Sequence, residues 1–481
     1  MKHTAHGYWL EEAGGVEPLP ALSGEQSVDV VVIGGGYTGL WTAWQLKKLE
    51  PGASVALLEA GVCGHGPSGR NGGFCNSMWP SLPNMRERWG DAAALAVARA
   101  SHDAIDAVEA FCREEGVDAW FRRGGYLQVS TAVAHDGIWD ESVAACAEVG
   151  EREAVEVLDA RGVAARCASP AFRGGAFYAD SATVQPARLA LALRERLLAA
   201  GVEIHERSPV RRLAADRSFV RSMAPQEPRD PAGGGVVATT ASGTVRAGAA
   251  VVAIGAAAKA PRAPLRNALT VSSSHIVLTE PVPELLEEIG WTGGECITDS
   301  RALVDYFRTT PDGRIAFGWG GGRIAMGARL RGRAELDREV VAAAAEWLRA
   351  YFPGLAGKSV THAWGGPIDV SPTHTPIVVP LSGSRAFVAA GYTGNGVGPS
   401  HMVARTLASL ALDRRDGYSL LPFVDPAPQR VPPEPFHWLG GETIRRALTA
   451  KEDAELAGRR PHPISSAASR VPELIGFHIG R

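Results

Sequence analysis

The segment Val28-Asp-Val-Val-Val-Ile-Gly-Gly-Gly-Tyr-Thr-Gly39 decides the fold, because an apolar run enters a glycine-rich turn that opens a helix. Gly34, Gly36 and Gly39 have the G-x-G-x-x-G spacing, which lets the backbone approach a pyrophosphate at the helix N-terminus. The next strand ends at Glu59, at the spacing of about 20 residues where an acid binds a ribose hydroxyl. Together these features predict a βαβ unit that binds an adenine dinucleotide. The alternative is a tight βαβ turn without a nucleotide.

The composition of this 481-residue chain is that of a globular protein with two or three domains. The net charge of -3 gives no electrostatic reason to expect nucleic acid or an anionic membrane as a partner. No apolar run reaches the roughly 18 residues of a membrane span, and the N-terminal residues lack the apolar core of a secretory signal. The six cysteines are scattered and the histidines lack metal-ligand spacing, so we expect a cytoplasmic protein with reduced thiols and no metal.

A second glycine-rich turn, Gly391-Tyr-Thr-Gly-Asn-Gly-Val-Gly398, lies far downstream between an apolar run and a helix. Because it offers another helix N-terminus, a large cofactor would use both turns, and the segments between them would build a substrate domain from separate insertions. Apolar periodicity predicts helices over residues 91–116, 187–201 and 337–352, strands over residues 125–130, 202–205 and 249–255, and a hairpin over residues 303–319. The Pro/Gly-rich residues 223–235 predict a surface loop.

The loop Pro67-Ser-Gly-Arg-Asn-Gly-Gly-Phe74 follows shortly after Glu59 and carries three glycines with Arg70 and Asn71. This composition predicts a backbone that approaches a flat ligand or a phosphate. The alternative is a polar surface loop.

These motifs together resemble the FAD-dependent amine and D-amino-acid oxidase family over roughly residues 20 to 445. The chain is most similar to the gamma-glutamylputrescine oxidoreductase branch of that family. The branch shares the Ser68–Gly73 loop and the turn over residues 391–397. It also shares a D-Y-x-R-x-T-x-D-x-R hairpin, which here spans residues 305–314.

The resemblance implies an α/β fold with a Rossmann-like FAD-binding domain and a discontinuous α+β substrate domain built on a large mixed sheet that covers the flavin. The implied division has a lead-in (1–26), three FAD-binding parts (27–105, 166–260 and 363–445), two substrate-domain parts (106–165 and 261–362) and a C-terminal extension (446–481). It also implies oxidation of a small primary or secondary amine or amino acid, in which a C–H bond beside nitrogen passes hydride to flavin N5. The imine product hydrolyses to a carbonyl compound, and O2 or another acceptor reoxidises the flavin.

The cofactor contacts implied by the resemblance come from the two glycine-rich turns, the loop between them and isolated positions near the adenine. They are Gly34, Gly36, Tyr37, Thr38, Gly39, Glu59, Ala60, Ser68, Gly69, Arg70, Asn71, Gly72, Gly73, Val210, Gly255, Gly391, Gly394, Asn395, Gly396 and Val397. Asn395 stands where many family members have histidine. None of Cys63, His65 and Cys75 matches a covalent attachment motif, so we expect non-covalent FAD.

The candidate substrate residues start with Tyr306 and Arg308, which share one face of a strand that the family topology places over the flavin. An aromatic wall with a guanidinium would suit an amine that carries a carboxylate or another anion. Arg323 is a further candidate for anion binding, and Trp364 for a wall of the flavin site. The alternative for each is packing against neighbouring residues. His275 is expected to be an ordinary sheet histidine.

Two other functions remain open from the sequence. A flavin monooxygenase would need NAD(P)H, and no second nucleotide fingerprint is visible. A flavoprotein subunit of a larger dehydrogenase would bind FAD without oxidising an amine by itself. The absence of basic stripes disfavours a role on nucleic acid. The sequence does not predict the oligomeric state.

Overall fold

The computed structural model describes residues 2–3, 7–216, 218, 234–260, 265–327, 329–424, 427–474 and 476–478. The strands in these residues are β1 (Lys2–His3), β2 (Gly24–Ile33), β3 (Val55–Leu58), β4 (Phe74–Cys75), β5 (Tyr126–Ser130), β6 (Glu156–Asp159), β7 (Gly174–Tyr178), β8 (Ala182–Thr183), β9 (Glu203–His205), β10 (Arg212–Asp216), β11 (Gly235–Thr239), β12 (Gly243–Val252), β13 (Thr270–Thr279), β14 (Cys296–Asp299), β15 (Asp305–Thr309), β16 (Ile315–Trp319), β17 (Val360–Val370), β18 (Ile377–Leu381) and β19 (Ala386–Ala390). The helices in these residues are α1 (Gly7–Glu12), α2 (Tyr37–Leu49), α3 (Leu82–Trp89), α4 (Asp91–Glu114), α5 (Asp140–Glu148), α6 (Ala160–Ala164), α7 (Pro186–Ala199), α8 (Pro283–Glu288), α9 (Arg338–Tyr351), α10 (Val397–Ala411), α11 (Phe436–Leu456) and α12 (Pro463–Leu474).

The first sheet has a parallel core in which β2 lies between β12 and β3, with β9 beside β3 and β19 beside β12. Because both faces of β2 are buried, its sequence is a continuous apolar run. Val30 and Val32 share a core with residues of α2 and α10, whereas Val31 and Ile33 pack with residues of β11 and β12 on the other face. The carboxyl ends of β2, β3 and β12 meet at one edge, where sheets of this kind bind their ligands.

The second sheet is large and mixed, with the strand order β1-β17-β13-β16-β15-β14-β5-β7-β6 in the described residues. Its pairs are antiparallel except for β1 with β17 and β14 with β5. On β13, an inner strand of this sheet, Val277 belongs to the core that includes α9, while Ile276 and Leu278 lie in the opposite cluster with Trp9 and Trp364. The predicted Rossmann-like unit, large mixed sheet, helices and hairpin are therefore confirmed to within a few residues at their ends.

The terminal segments and one strand differ from the expected organisation. Residues 7–12 of the predicted irregular lead-in form α1, because Trp9 is buried against Trp364. Strand β7 pairs with β5 and β6 in the large sheet, although the sequence assigns residues 166–260 to the FAD-binding domain. Helix α11 crosses the boundary predicted after residue 445. The domain boundaries stay predictions.

None of the described helices is both long and apolar enough to cross a membrane. Residues 223–233 of the predicted surface loop lie outside the described residues.

Candidate active site

The glycine-rich turn between β2 and α2 forms one wall of a cavity of about 1260 Å³ that residues of both sheets line. Gly34 has a φ of 109°, in the left-handed region that favours glycine. A Cβ at Gly39 would lie 1.8 Å from the carbonyl oxygen of Gly34, so only glycine lets α2 pack this closely against the turn. Helix α2 therefore begins at the cavity, where its dipole and first N–H groups favour an anion.

Glu59 follows β3 and lines the same end of the cavity as Ala60 and Val210. Its carboxylate accepts hydrogen bonds from the backbone N–H groups of Gly35 (2.7 Å) and Gly61 (2.6 Å). Burial raises the pKa of Glu59, and these two donors only partly oppose that shift. The carboxylate is placed beside the turn, as a ribose contact requires, and that role stays a prediction.

The loop at residues 68–73 is held close to α2 and to the large sheet by side-chain hydrogen bonds. Ser68 Oγ accepts from the backbone N–H of Tyr37 (2.8 Å), and Asn71 Oδ1 accepts from the N–H of Gly73 (2.7 Å). Two indoles hold the loop from behind: Trp9 donates to the Asn71 carbonyl and Trp364 to the Arg70 carbonyl, each at 2.8 Å. The loop therefore presents a fixed backbone to the cavity.

The second glycine-rich turn brings α10 to the cavity. Helix α10 has Gly396 as its N-cap without a side-chain hydrogen bond, and the Asn395 amide donates to the Ser77 carbonyl (3.3 Å). Asp369 lines the cavity beside this turn and accepts from the N–H of Gly391 (2.6 Å). Burial raises the pKa of Asp369 to about 6. A second helix N-terminus thus faces the same cavity, on another side from α2.

Most predicted cofactor residues line this one cavity. Those that do are Gly34, Gly36, Tyr37, Thr38, Glu59, Ala60, Ser68, Arg70, Asn71, Gly72, Val210, Gly255, Gly394, Asn395, Gly396 and Val397. Four others, Gly39, Gly69, Gly73 and Gly391, lie behind the lining, where added Cβ atoms would come within 3 Å of neighbouring atoms. These four act through backbone packing of the turns.

The large sheet contributes a polar wall opposite the glycine-rich turns. Alternate residues of β13, Thr270, Ser272, Ser274 and Ile276, line the cavity, as the two-residue period of a strand requires. Tyr306 joins them from β15: its hydroxyl and Ser274 Oγ are 2.7 Å apart. Tyr306 was predicted from the sequence and the two serines were not, although the alternation of Ser272 and Ser274 along one strand could have indicated them.

Arg308 differs from its expected role in anion binding. The side chain is on the same side of β15 as Tyr306, but it lies beyond the cavity and is buried. Its guanidinium donates to the backbone carbonyls of Val184, Gly73 (3.4 Å) and Thr309 (3.1 Å). Burial lowers the pKa of Arg308 to about 10. Its donors hold Gly73, at the end of the 68–73 loop, and the adjoining backbone of Val184, and its side chain does not line the cavity.

The other two substrate candidates also lie outside the cavity lining. Arg323 forms ion pairs with Asp337 (2.8 Å) and Glu339, which turn its guanidinium toward the start of α9. Trp364 is fully buried and supports the Arg70 carbonyl from behind. His275 accepts from the N–H of Asp337 (2.9 Å), and burial lowers its pKa to about 4. Of the four predicted substrate residues, Tyr306 alone lines the cavity in the part of the chain that is described.

Helix α11, near the C-terminus, is the largest element of this site that the sequence did not predict. Seven of its residues line the cavity: Phe436, His437, Gly440, Gly441, Ile444, Arg445 and Leu448. Its buried Glu452 accepts from the N–H groups of Ala302 (2.7 Å) and Leu303 (3.3 Å), two further lining residues. Helix α11 therefore both closes the cavity and holds the loop after β14.

Glu452 predicts a pH-dependent stability. Burial raises its pKa to about 7, and the nearby Asp299 adds to the shift while Arg301 opposes it. The folded chain holds this proton more tightly than the unfolded chain. As the pH rises from about 4.5 to about 7, the free energy of unfolding of the wild type should therefore fall by up to about 3 kcal/mol relative to that of Glu452→Gln. Urea unfolding of both proteins across this range measures it. Asp453→Asn, on the exposed side of α11, is the control, and parallel pH profiles for the wild type and Glu452→Gln would contradict the assignment.

The cavity fits FAD on three observations of the chain itself: two helix N-termini with glycine as the N-cap residue, glycines that bring backbone to the lining, and a carboxylate beside the first turn. Cys63 and Cys75 are fully buried, do not line the cavity, and have pKa values raised by burial. Among the described residues, no group of three or more His, Cys, Asp and Glu side chains is placed to hold a metal ion.

The buried thiols support non-covalent binding, which predicts the outcome of acid precipitation. We expect the yellow colour to stay in the supernatant, because none of Cys63, His65 and Cys75 lines the cavity and burial disfavours the thiolate form of both cysteines. Absorbance of the supernatant and the redissolved pellet measures the partition. Colour that remains with the pellet after washing would contradict the prediction.

Comparisons with known proteins identify the family of this chain. The model of the family described as FAD dependent oxidoreductase matches residues 29–410. The chain is 28% identical over 455 residues to the probable oxidoreductase OrdL of Rhizobium meliloti, covering 92% of this chain and 95% of that one. It is 26% identical over 460 residues to gamma-glutamylputrescine oxidoreductase of Escherichia coli, covering 93% and 96%. The solved structure of glycine oxidase from Geobacillus kaustophilus shares the fold, with a TM-score of 0.64 at 21% identity over 83% of this chain and 98% of that one. The chain belongs to the family of FAD-dependent oxidoreductases.

Proposed function

We propose that this chain oxidises the C–N bond of a small primary or secondary amine or amino acid. The observation that carries the proposal is the hydroxyl wall of Ser274 and Tyr306, which faces two glycine-rich helix N-termini across one cavity. Similarity to gamma-glutamylputrescine oxidoreductase and glycine oxidase, both named for amine-containing compounds, supports the same class of substrate.

The cofactor would lie along the cavity between the two turns. The N-terminus of α2 would hold the pyrophosphate, and Glu59 would accept a ribose hydroxyl. The 68–73 loop and the turn before α10 would lie against the flavin, where the N-terminus of α10 stabilises negative charge at the pyrimidine end. When bound, FAD would act as the oxidant and accept a hydride from the carbon beside the amine nitrogen.

The residues of the large sheet would orient the substrate. Tyr306 and Ser274 form a hydrogen-bonded pair, and Ser274 Oγ also donates to the Trp319 carbonyl (2.9 Å). The pair therefore offers the tyrosine ring as a wall and hydroxyl oxygens as hydrogen-bond partners for an amine. The imine product would hydrolyse to a carbonyl compound after release. The amine must be neutral to lose hydride, so flavin reduction should speed up as the pH rises.

Anaerobic reduction of the bound flavin with a panel of primary amines, N-alkyl amines and amino acids tests the function. Bleaching by at least one class supports it. Bleaching by NADPH without an amine would instead indicate a monooxygenase. A chain that binds FAD and is bleached by none of these compounds would indicate an electron-transferring subunit.

Tyr306→Phe should slow flavin reduction by an active amine about 3- to 10-fold, because the variant loses one hydrogen bond to the substrate. The FAD content should be unchanged, because the tyrosine hydroxyl bonds to Ser274 on the substrate wall. Stopped-flow reduction rates measure the effect. Tyr418→Phe, outside the cavity lining, is the matched control. Equal reduction rates for wild type and Tyr306→Phe would remove Tyr306 from the proposed site.

A further inference from the structure

Helix α11 is fixed to the cavity by two acidic side chains on one of its faces. Glu442 accepts from the N–H of Ile324 (2.7 Å), and Glu452 accepts from the N–H of Ala302 (2.7 Å). Ile324 and Ala302 both line the cavity, in the segments that follow β16 and β14. The face of α11 between these two attachments is therefore held against the cavity.

Arg445 lies on that face and lines the cavity. Its Nε and Nη2 atoms donate to Glu442 Oε2 at 3.2 and 3.0 Å, and its Nη1 makes a long hydrogen bond to the Gly321 carbonyl (3.4 Å). A guanidinium has five N–H bonds. Among the described contacts, one N–H on Nη1 and one on Nη2 remain for a ligand, and a carboxylate can bind both of them together.

The position of Arg445 connects it to the hydroxyl wall. Gly321, its backbone partner, comes two residues after Trp319, whose carbonyl accepts from Ser274 Oγ (2.9 Å). Ser274 is in turn paired with Tyr306. The guanidinium and the two hydroxyls therefore meet around one short segment, residues 319–322, at the end of β16.

The other arginines near the cavity are committed elsewhere. Arg308 and Arg323 do not line it, because Arg308 donates to backbone carbonyls and Arg323 pairs with two acidic side chains at the start of α9. Arg211 and Arg212 line it next to Val210, at the adenine end. Arg70 belongs to the 68–73 loop, where its Nε donates to the His65 carbonyl (3.0 Å). Of the cavity-lining arginines in the described residues, Arg445 is the one attached to the substrate wall.

We propose that Arg445 recognises a carboxylate on the substrate, so that the preferred amines carry an anionic group away from the oxidised carbon. The proposal rests on the proposed amine oxidation. In it, Glu442 holds one edge of the guanidinium and fixes its direction, and the remaining N–H bonds bind the carboxylate. Helix α11 would then select the substrate, while Tyr306 and Ser274 would lie beside the reacting amine.

Binding of an unreactive carboxylate to the FAD-loaded protein tests this. Butyrate should perturb the absorption spectrum of the bound flavin saturably, and butyramide, which has the same shape without the charge, should not. Arg445→Met should weaken butyrate binding about 10- to 100-fold, because one charge-assisted hydrogen-bonded contact is lost. Arg446→Met, on the exposed side of the same helix, is the matched control and should bind butyrate like the wild type.

A second variant keeps the test decisive if Arg445→Met does not fold. Glu442→Gln keeps an oxygen for the Ile324 N–H but removes the charge that neutralises Arg445, so butyrate should bind more tightly than to the wild type. A merely structural ion pair would give equal or weaker binding, and that result would overturn the proposal. Butyrate binding that is absent from the wild type, matched by butyramide, or unchanged in FAD-loaded Arg445→Met would also overturn it.

The readout separates this proposal from the proposed function. If butyrate binds through Arg445 while no amine bleaches the flavin, amine oxidation fails and the carboxylate site stands. If butylamine and 4-aminobutyrate bleach the flavin with equal efficiency and butyrate does not bind, amine oxidation stands and the role of Arg445 fails.

Discussion

Replacing Gly39 with alanine is expected to give a protein that retains little or no FAD and is markedly less stable. The added Cβ would lie 1.8 Å from the Gly34 carbonyl oxygen, which is backbone and cannot rotate away. Helix α2 would have to move off the turn, at a cost above the ~1–3 kcal/mol of ordinary overpacking. Its N-terminus at the cavity would move with it. FAD per chain after purification and the urea midpoint measure both effects.

Two further glycine variants separate cofactor binding from folding. At Gly36 an added Cβ would meet only Ser68 Oγ, at 3.0 Å, so Gly36→Ala should fold. It should still lose FAD affinity, because Gly36 lines the cavity at the turn proposed to approach the pyrophosphate. Gly52 follows the same helix and would place a Cβ in open space, so Gly52→Ala should behave like the wild type. Full FAD content in Gly39→Ala would show that the turn does not hold the cofactor as proposed.

The sequence was sufficient to predict the elements whose residues are close together in the chain. The run from Val28 to Glu59 carries its own strand period, glycine spacing and terminal acid, and the structure contains the expected βαβ unit. The hairpin alternation also predicted correctly that Tyr306 and Arg308 share one face of β15, since Tyr306 packs in the cluster of Trp9 and the Arg308 guanidinium lies over the Trp9 ring. Local periodicity determines such features, so no knowledge of distant residues is needed.

Periodicity does not reveal what covers a strand face. Tyr306 lines the cavity. Arg308, two residues later, is instead covered by the backbone of Gly73 and Val184, which come from two segments far from it in the chain. Arg445 and Glu452 were missed for the same reason. Charged residues on a helix usually indicate a solvent-exposed face, and only tertiary packing shows that α11 lies over the cavity.

Removing Glu206 should produce the largest loss of stability among side chains near the site. Its carboxylate is fully buried and accepts from Arg194 Nε (2.8 Å), Arg194 Nη2 (3.0 Å) and the N–H groups of Leu19 (2.7 Å) and Cys63 (2.9 Å). Glu206→Ala would leave a buried guanidinium without its ion pair, so the free energy of unfolding should fall by about 3–5 kcal/mol. Urea unfolding measures the loss.

The same change should weaken FAD binding, because Cys63 lies between the lining residues Val62 and Gly64, and the Gly64 N–H donates to the Gly35 carbonyl (2.9 Å). The net pKa of Glu206 is lowered. Burial alone would raise this pKa, but the hydrogen bonds from Arg194, Cys63 and Leu19 outweigh the effect of burial. The stabilisation is therefore present at neutral pH and is lost as the pH falls through the lowered pKa. Glu203→Ala, three residues earlier at the start of β9 and with an exposed side chain, should change stability by less than about 0.5 kcal/mol. If Glu206→Ala unfolds at the same urea concentration as Glu203→Ala and keeps its FAD, this ion pair does not support the cofactor site.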